Sequence, residues 1–327
     1  MTGGRERVLI VGGAGFIGSH FTDALLADQQ TRHVTLYDNF SSGSEWHYSE
    51  HAGDERLTVV RADANDLDEL CATMEGHDLI VHLASNPDIA AAMTNPAVDF
   101  DDGTMITYHV VEAMRRTGVA RIAYASGSGV YGDLGEVEAA EDHGPLVPVS
   151  TYGASKLAGE ALISAYAHMF DSQGFVFRFG NVVGRRQTHG VGFDFLRRLR
   201  DDPTHLTVMG DGTQSKSYIL ATDVVAAVLC ALDAGVGQPF SCFNVATGDY
   251  ITVREIVMLA VEALELDPAE TSVEYGLEPR GWKGDVPVVR LNTERIRALG
   301  WQPSAGSARA LAQSMNSMLG DLAVGRG

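Results

Sequence analysis

Short apolar runs alternate with amphipathic stretches along the first half of the chain. Such runs predict buried strands, and the stretches between them have the spacing of helices that cover a sheet. The predicted strands are 8–11, 34–37, 57–60, 78–84, 120–126 and 174–179, and the predicted helices are 19–28, 98–117 and 154–170. This alternation predicts an α/β fold with a doubly wound parallel sheet, whose ligands bind at the carboxyl ends of the strands.

The pattern changes after Asn181. Turn-rich stretches at 184–190 and 210–216 lie on either side of a short basic helix at 193–200, and further elements are predicted at 224–232, 242–246 and 253–264. We therefore predict two parts. Residues 1–180 with about 217–247 form the sheet domain, and about 181–216 with 248–327 form a smaller C-terminal α/β lobe.

Composition narrows the possible functions. The 327 residues are 45% hydrophobic and 20% charged, and their formal net charge is −19, which disfavours a nucleic-acid partner. The three cysteines are scattered without metal-ligand spacing, which is typical of a reducing compartment. From the first residues we expect no signal peptide, and no apolar run approaches the roughly 20 residues of a membrane span. We expect a cytoplasmic protein without a metal or a membrane anchor.

A glycine motif lies between the first predicted strand and helix. Gly12 permits a tight turn, Gly15 lets the backbone approach a pyrophosphate, and Gly18 lets helix and strand pack closely. The helix N-terminus adds amide donors and the positive end of a dipole. The motif predicts a Rossmann domain that binds a dinucleotide.

Asp38 ends the next strand, about twenty residues after the motif, as is typical of this fold. A carboxylate there accepts hydrogen bonds from the adenosine ribose and repels a 2′-phosphate, which favours NAD over NADP; otherwise Asp38 is only a turn residue. The later strand ends place Asp63 near the adenine and Ser85 at the sheet edge. The predicted NAD-binding residues are Gly12, Gly15, Phe16, Ile17, Gly18, Asp38, Asn39, Ser42, Gly43, Asp63, Ala64, Leu83, Ala84, Ser85, Tyr152 and Lys156.

Tyr152 and Lys156 lie on one face at the start of a predicted helix. A phenol titrates near pH ~10, and a neighbouring ammonium and an oxidised nicotinamide both favour the phenolate. Such a tyrosine can take a proton from a substrate hydroxyl. Alone, a pair with this spacing more often marks only a helix start that carries a surface lysine, and it is the glycine motif that favours the catalytic interpretation.

Together these motifs resemble the extended short-chain dehydrogenase/reductases over nearly the whole chain. The resemblance rests on the glycine motif at 12–18, the segment 38–43, Tyr152 with Lys156, Asn181, and the segment 210–212. Within that family, 38–43 and 280–287 are similar to stretches of nucleotide-sugar 4-epimerases of the UDP-glucose/UDP-galactose type.

The resemblance implies an NAD-dependent epimerase of a UDP-hexose or UDP-hexuronic acid, such as UDP-glucose/UDP-galactose or UDP-glucuronate/UDP-galacturonate. Tyr152 would remove the 4-hydroxyl proton while C4 passes a hydride to NAD. The 4-keto sugar would then rotate about its pyrophosphate linkage and receive the hydride on its other face. The sheet domain would bind NAD and the smaller lobe the nucleotide sugar. A homodimer is expected through the Tyr152 helix and the stretch 98–117.

The resemblance also implies a set of substrate residues, of which Asn181 would hold the phosphate or sugar. Arg280 and Asp285 would face the diphosphate and the nucleoside ribose, or they form only a loop ion pair. Arg185 and Arg186 suit a diphosphate or a sugar carboxylate, or are solvated surface charges. The full predicted set is Ser128, Asn181, Arg185, Arg186, Lys216, Arg280 and Asp285.

One position departs from the family pattern. Gly127 stands where the family has a Ser or Thr that bonds the reacting hydroxyl, so Ser126 or, preferably, Ser128 is the predicted catalytic replacement. Otherwise the sugar is held differently or the reaction differs. Ser128 and Gly129 replace the Asp-Glu pair of the family's dehydratases, and Gly129 replaces a glutamate of its decarboxylases. The alternatives are a decarboxylase, ketoreductase or dehydratase on the same scaffold, and a non-catalytic NAD-binding protein.

Overall fold

A computed structural model describes residues 5–86, 88–235 and 237–326, so the predicted domain limits at residues 1 and 327 lie outside the described residues. The strands are β1 Arg7–Val11, β2 His33–Asp38, β3 Leu57–Arg61, β4 Leu79–His82, β5 Arg121–Gly127, β6 Glu138–Ala139, β7 Gln173–Phe179, β8 Asn181–Val183, β9 His205–Val208, β10 Ser215–Lys216, β11 Tyr218–Leu220, β12 Phe240–Val245, β13 Ile251–Thr252, β14 Ser272–Tyr275 and β15 Arg290–Leu291. The helices are α1 Phe16–Ala27, α2 Leu67–Met74, α3 Ala97–Asp99, α4 Ile106–Thr117, α5 Thr151–Met169, α6 Val191–Asp201, α7 Ala221–Ala234, α8 Val253–Ala263, α9 Glu294–Arg297 and α10 Ser307–Ala323.

The central sheet has seven strands in the order β12-β7-β5-β4-β1-β2-β3. The ladders of β1 with β2 and β4, of β2 with β3 and of β4 with β5 are parallel. From β1 the chain first extends the sheet on one side and then crosses to β4 on the other. Ligands of such sheets bind where the strand order reverses, which here is between β1 and β4. The predicted α/β fold with a doubly wound parallel sheet is confirmed.

The chain divides into two compact units. One comprises 1–130, 151–178 and 228–243, and the other comprises 131–150, 179–227 and 244–327. In the second unit, α6, α8 and α10 surround an apolar core that includes Leu196, Ile256 and Leu311. The division of ligands between the predicted domains stays a prediction.

The predicted helix 98–117 is wrong as a single regular helix. The structure has the short α3, then a π-helix at Phe100–Met105, and only then α4. Gly103 packs against the Tyr152 helix there, since a Cβ atom on Gly103 would lie 2.0 Å from the Ser155 hydroxyl. This close packing accompanies the wider turn.

Two functionally important helices begin earlier than predicted. α1 begins at Phe16 directly after Gly15, and α5 begins at Thr151, which places Tyr152 in its first turn. In both cases a glycine lies in the first turn of the helix. Because glycine has a low helix propensity, the predicted helix starts a few residues after the observed one. Among the described residues, no helix has the length and apolar character needed to span a bilayer.

Candidate active site

The glycine motif forms the turn between β1 and α1. Gly12 has a φ of +82°, and its N–H donates to the Tyr37 carbonyl at 2.8 Å. A Cβ atom on Gly12 would lie 2.7 Å from the backbone nitrogen of Ala84, just beyond β4. Both the backbone angle and this close approach require glycine.

Gly15 and Gly18 have different surroundings. A Cβ atom on Gly18 would lie 2.4 Å from the Gly13 carbonyl oxygen, so the fold itself requires a glycine. On Gly15 it would meet only the Gly12 carbonyl, at 3.4 Å, so the fold leaves the outer side of this turn open. The first amides of α1, at Phe16 and Ile17, have no acceptor within the helix, and Gly15 has no side chain to cap them. Open space beside free amides and a positive helix end fits the pyrophosphate of NAD.

Asp38 is held in place by the backbone. Its Oδ2 accepts the Ala14 N–H at 2.9 Å and its Oδ1 accepts the Phe40 N–H at 2.8 Å. Gly43 lies against the same carboxylate, since its Cβ would be 2.8 Å from Oδ1. The carboxylate is thereby fixed to the glycine turn, with lone pairs left for ribose hydroxyls. Of the neighbouring predicted residues, Asn39 and Ser42 are exposed.

The remaining predicted cofactor residues lie at the carboxyl ends of β3 and β4. The Leu83 and Ala84 amides donate to the Val11 carbonyl at 2.8 and 2.9 Å, which ties this loop to the end of β1. Asp63 is exposed, and its carbonyl accepts the Tyr37 hydroxyl at 3.0 Å. Ala64 follows it and is buried, and Ser85 follows Ala84. Whether these residues contact NAD stays a prediction.

Tyr152 and Lys156 come together on the first turns of α5. The Lys156 side chain is 3% exposed, and its Nζ donates to the Ala125 carbonyl at 2.8 Å. The same nitrogen lies 5.5 Å from the centroid of the Tyr152 ring and 5.1 Å from that of Tyr124. The ammonium is therefore held beside the phenol by a fixed backbone acceptor.

Burial dominates the titration of both groups. It raises the pKa of Tyr152 to about 12, partly offset by a hydrogen bond with Ser85, while the negative charge of Asp99 raises that pKa further. Burial lowers the pKa of Lys156 to about 8, against the opposing charges of Asp99 and Glu160. Sequence reasoning anticipated the ammonium but not the burial. Burial therefore opposes formation of the phenolate, and a further positive charge beside the phenol would favour it.

Ser126 is committed to a buried ion pair. Its hydroxyl donates to Glu160 Oε1 at 2.5 Å, and Arg178 binds the same carboxylate through Nε at 3.0 Å and Nη2 at 2.7 Å. Sequence reasoning missed Glu160 and Arg178. The available signal was a single arginine within the apolar run 174–179, because a buried charge needs a partner.

Gly127 ends β5 in open surroundings, because a Cβ atom there would meet nothing within 4 Å. Ser128 follows at the start of a 3₁₀ turn, Ser128–Tyr131, and is partly exposed. Its catalytic role stays a prediction.

Three of the predicted substrate residues cluster within the second unit. Lys216 Nζ lies 2.6 Å from Asp285 Oδ1, and Arg280 Nη1 donates to the Asp285 carbonyl at 2.6 Å. The guanidinium of Arg280 also binds Asp133 Oδ2 at 2.5 Å. The alternative of a loop ion pair between Arg280 and Asp285 is therefore wrong, because each side chain pairs with a different residue.

A second guanidinium, which sequence reasoning missed, lies beside Lys216. Arg290 Nη1 donates to the Ser215 carbonyl at 3.1 Å, and its Nε binds Glu136 Oε2 at 3.1 Å. The guanidinium also lies 4.0 Å from the centroid of the Tyr250 ring. Three cationic side chains are thus held in one region by carboxylates and backbone carbonyls.

The other predicted substrate residues have different neighbours. Asn181 is exposed on β8, and its backbone N–H donates to the Ser217 carbonyl at 3.0 Å. Arg185 is exposed, whereas Arg186 is buried with its backbone N–H bound to Asp321 Oδ2 at 3.1 Å. Of the two arginines, Arg185 is therefore the more accessible to a ligand.

Comparison with known proteins gives consistent results over nearly the whole chain. The sequence profile of the NAD dependent epimerase/dehydratase family matches residues 8–246. A UDP-glucose 4-epimerase of Mycolicibacterium smegmatis is 32% identical over 94% of this chain and 97% of its own. A solved UDP-galactose 4-epimerase is 33% identical, with a TM-score of 0.85 over 97% of this chain and 99% of its own. A dTDP-glucose 4,6-dehydratase from Streptomyces venezuelae, solved with NAD bound, is 26% identical, with a TM-score of 0.89 over 97% of this chain and 98% of its own.

Proposed function

Because this chain belongs to the NAD dependent epimerase/dehydratase family, we propose that it is a nucleotide-sugar 4-epimerase acting on a UDP-hexose or UDP-hexuronic acid. The resemblance drawn from the motifs is confirmed, and the cofactor is NAD. When bound, NAD accepts a hydride from C4 of the sugar, returns it to the same carbon and adds a positive charge to the site. The observation that carries the proposal is the Lys156 ammonium held 5.5 Å from the Tyr152 ring, on the unit that also contains the open glycine turn.

In this proposal Tyr152 is the general base and acid. Its phenolic oxygen takes the proton of the sugar 4-hydroxyl and gives it back after the 4-keto sugar has turned. Lys156 supplies the ammonium that stabilises the phenolate. Asp38 accepts hydrogen bonds from the hydroxyls of the adenosine ribose. The other predicted cofactor residues would contact NAD from the glycine turn and from the carboxyl ends of β3 and β4.

The cationic cluster of the second unit supports a diphosphate-containing substrate. Lys216, Arg280 and Arg290 would bind the phosphates, because guanidinium and ammonium groups form charge-assisted hydrogen bonds with them. Asp285 would accept hydroxyls of the nucleoside ribose, and Asn181 would hold the sugar or phosphate. Arg185, the accessible arginine of its pair, would contact a carboxylate on a hexuronic acid substrate.

Other reactions of the scaffold remain outcomes of the same test. The similarity to a dTDP-glucose 4,6-dehydratase supports a dehydratase as the alternative, together with a decarboxylase or ketoreductase. Against elimination, Ser128 and Gly129 provide neither an acid nor a base. A non-catalytic NAD-binding protein is disfavoured because Lys156 Nζ lies 5.5 Å from the centroid of the Tyr152 ring, as an acid–base pair requires.

We also propose a cytoplasmic homodimer formed through α4 and α5. The exposed apolar side chains Tyr108, Met169 and Phe170 on and just beyond these helices support this.

The function is tested by a nuclear magnetic resonance time course of the purified protein with UDP-glucose or UDP-glucuronate and no added NAD. We expect conversion to the galacto epimer, since an epimerase returns its hydride and keeps its cofactor. Faster turnover of UDP-glucuronate, lost in Arg185→Ala, would assign that arginine to the carboxylate. Release of carbon dioxide would show that the reaction is a decarboxylation. Formation of a 4-keto-6-deoxy sugar would show that it is a dehydration.

The glycine turn gives a separate prediction about NAD. Gly15→Ala should fold normally but bind NAD about 10-fold or more weakly, because the new methyl group fills the open side of the turn. Gly18→Ala should instead destabilise the protein, since its methyl group would lie 2.4 Å from a backbone oxygen. Thermal unfolding and NAD titration of both variants separate the two effects. Equal loss of stability in both would contradict the assignment of Gly15 to the pyrophosphate.

A further inference from the structure

The hydroxyl that Gly127 lacks has a candidate replacement outside β5. Ser126 already donates its hydroxyl to Glu160 at 2.5 Å, within a buried ion pair. Ser85, on the loop after β4, lies beside the first turn of α5, where its hydroxyl lowers the pKa of the Tyr152 phenol. The phenolic oxygen of Tyr152 is the atom that takes the proton in the proposed mechanism, so a hydroxyl beside it can affect how readily it does so.

A network around one buried carboxylate holds Ser85 near Tyr152. Asp99 is 2% exposed, its Oδ1 accepts from Asn86 Nδ2 at 3.0 Å, and its Oδ2 accepts from Thr151 Oγ1 at 2.6 Å. Asn86 directly follows Ser85, and Thr151 directly precedes Tyr152. One carboxylate therefore ties together the neighbours of both residues and fixes the β4 loop to the first turn of α5.

A second constraint acts on the β4 loop itself. The Asn86 amide is 5% exposed, and its Nδ2 also donates to the Asp88 carbonyl at 2.8 Å while its Oδ1 accepts the Asp88 N–H at 3.0 Å. Just before Ser85, the Ala84 amide donates to the Val11 carbonyl at 2.9 Å. The loop that carries Ser85 is thus fixed on both sides of the serine.

We propose that Ser85 is the second hydroxyl of the catalytic centre, donating to the Tyr152 phenolate in a site where position 127 offers no hydroxyl, with Asp99 as the positioning residue. The proposal rests on the proposed function. It adds to the predicted contact of Ser85 with NAD a role in stabilising the Tyr152 phenolate. A donor to the phenolate stabilises the basic form, which desolvation of the Tyr152 phenol disfavours.

The charged and titratable groups that face the phenol act in opposite directions. Lys156, on the same helix, stabilises the phenolate, whereas Asp99, from α3, destabilises it. Tyr124, from β5, lies beside Lys156 and remains protonated, since burial raises its pKa far above the neutral range. Ser85 is the neutral donor of this group, and its removal should therefore shift the titration of Tyr152 upward.

The test compares Ser85→Ala with the wild-type holoenzyme and with Ser49→Ala, a control at an exposed serine. We expect kcat to fall about 10- to 100-fold near neutral pH with little change in KM, and the acid limb of the pH–rate profile to move upward by about one to two pH units. The double variant Ser85→Ala/Gly127→Ser has room for the new side chain, because a Cβ atom at position 127 meets nothing within 4 Å. It should recover part of kcat through a bond to the sugar hydroxyl, while the acid limb stays shifted.

A second readout does not depend on turnover. The protein has 10 tyrosines, and with 3-fluorotyrosine in place of tyrosine the fluorine resonance missing in Tyr152→Phe identifies residue 152. Its titration should move to higher pH in Ser85→Ala and not in Ser49→Ala. An unchanged titration would overturn the proposal even if the enzyme is an epimerase. If the wild type turns over no nucleotide sugar while the titration still moves, the proposed function fails and the contact of Ser85 with the phenol stands.

Discussion

Tyr152→Phe should abolish almost all turnover while leaving the fold and the bound NAD intact. The substitution removes only the phenolic oxygen, and a general acid–base group contributes about 10²- to 10⁴-fold to the rate. Because Lys156 is held by the Ala125 carbonyl at 2.8 Å and not by the phenol, the ammonium should keep its position. The measurements are kcat for the preferred nucleotide sugar and the NAD content of the purified variant.

The matched control is Tyr108→Phe, which removes the same atom from an exposed tyrosine on α4 and leaves its apolar ring in place at the proposed dimer contact. It should keep wild-type turnover and NAD content. If Tyr152→Phe retained more than about a tenth of the activity, another group would have to be the base, and the proposed mechanism would be wrong. If turnover and bound NAD were lost together, the main role of Tyr152 would be to bind NAD and not to transfer the proton.

The parts of this protein that sequence reasoning predicted depend on local chemistry. The turn at 12–18 is specified by a strand, three glycines and a helix that are contiguous in sequence, so its geometry follows from backbone constraints that a reader of the sequence can apply. Lys156 lies one helical turn after Tyr152, so their meeting also needs only one correctly assigned helix.

The parts that sequence reasoning missed join residues that are distant in the chain. Nothing local to Asp99 indicates that it links Asn86 to Thr151 across the start of α5. The π-helix before α4 likewise accompanies the approach of Gly103 to Ser155, which lies on another helix. In each case the partner is chosen by tertiary packing, which the propensities of single segments do not contain.

Burial is the quantity that changed the chemical picture of the site. The sequence places an ammonium beside a phenol and so indicates a lowered phenol pKa, whereas the structure shows burial raising the pKa of Tyr152 to about 12. The sign of a titration shift depends on desolvation as well as on neighbouring charges, and the extent of desolvation is known only once the side chain is placed. Because burial raises the pKa of Tyr152, a neighbouring hydroxyl that lowers this pKa, such as that of Ser85, has a larger part in forming the phenolate.

The second large effect is expected on stability. Glu160→Ala should lower the free energy of unfolding by about 3–5 kcal/mol, because it leaves the buried Arg178 guanidinium without its carboxylate and deprives the Ser126 hydroxyl of its acceptor. Urea denaturation of the NAD-free protein measures the change. The double variant Glu160→Leu/Arg178→Met should recover most of the loss, because replacing a whole buried ion pair by apolar side chains is often nearly neutral.

The exposed pair of Arg32 and Glu6 provides the control, with side chains that are 74% and 48% accessible and atoms 3.2 Å apart. Glu6→Ala should change stability by less than about 1 kcal/mol, since solvent screens an exposed ion pair. If Glu160→Ala were no more costly than Glu6→Ala, the buried pair would not stabilise the strand that carries Arg178. A large loss that the double variant does not recover would mean that the guanidinium left without its carboxylate is not the main cause of the instability.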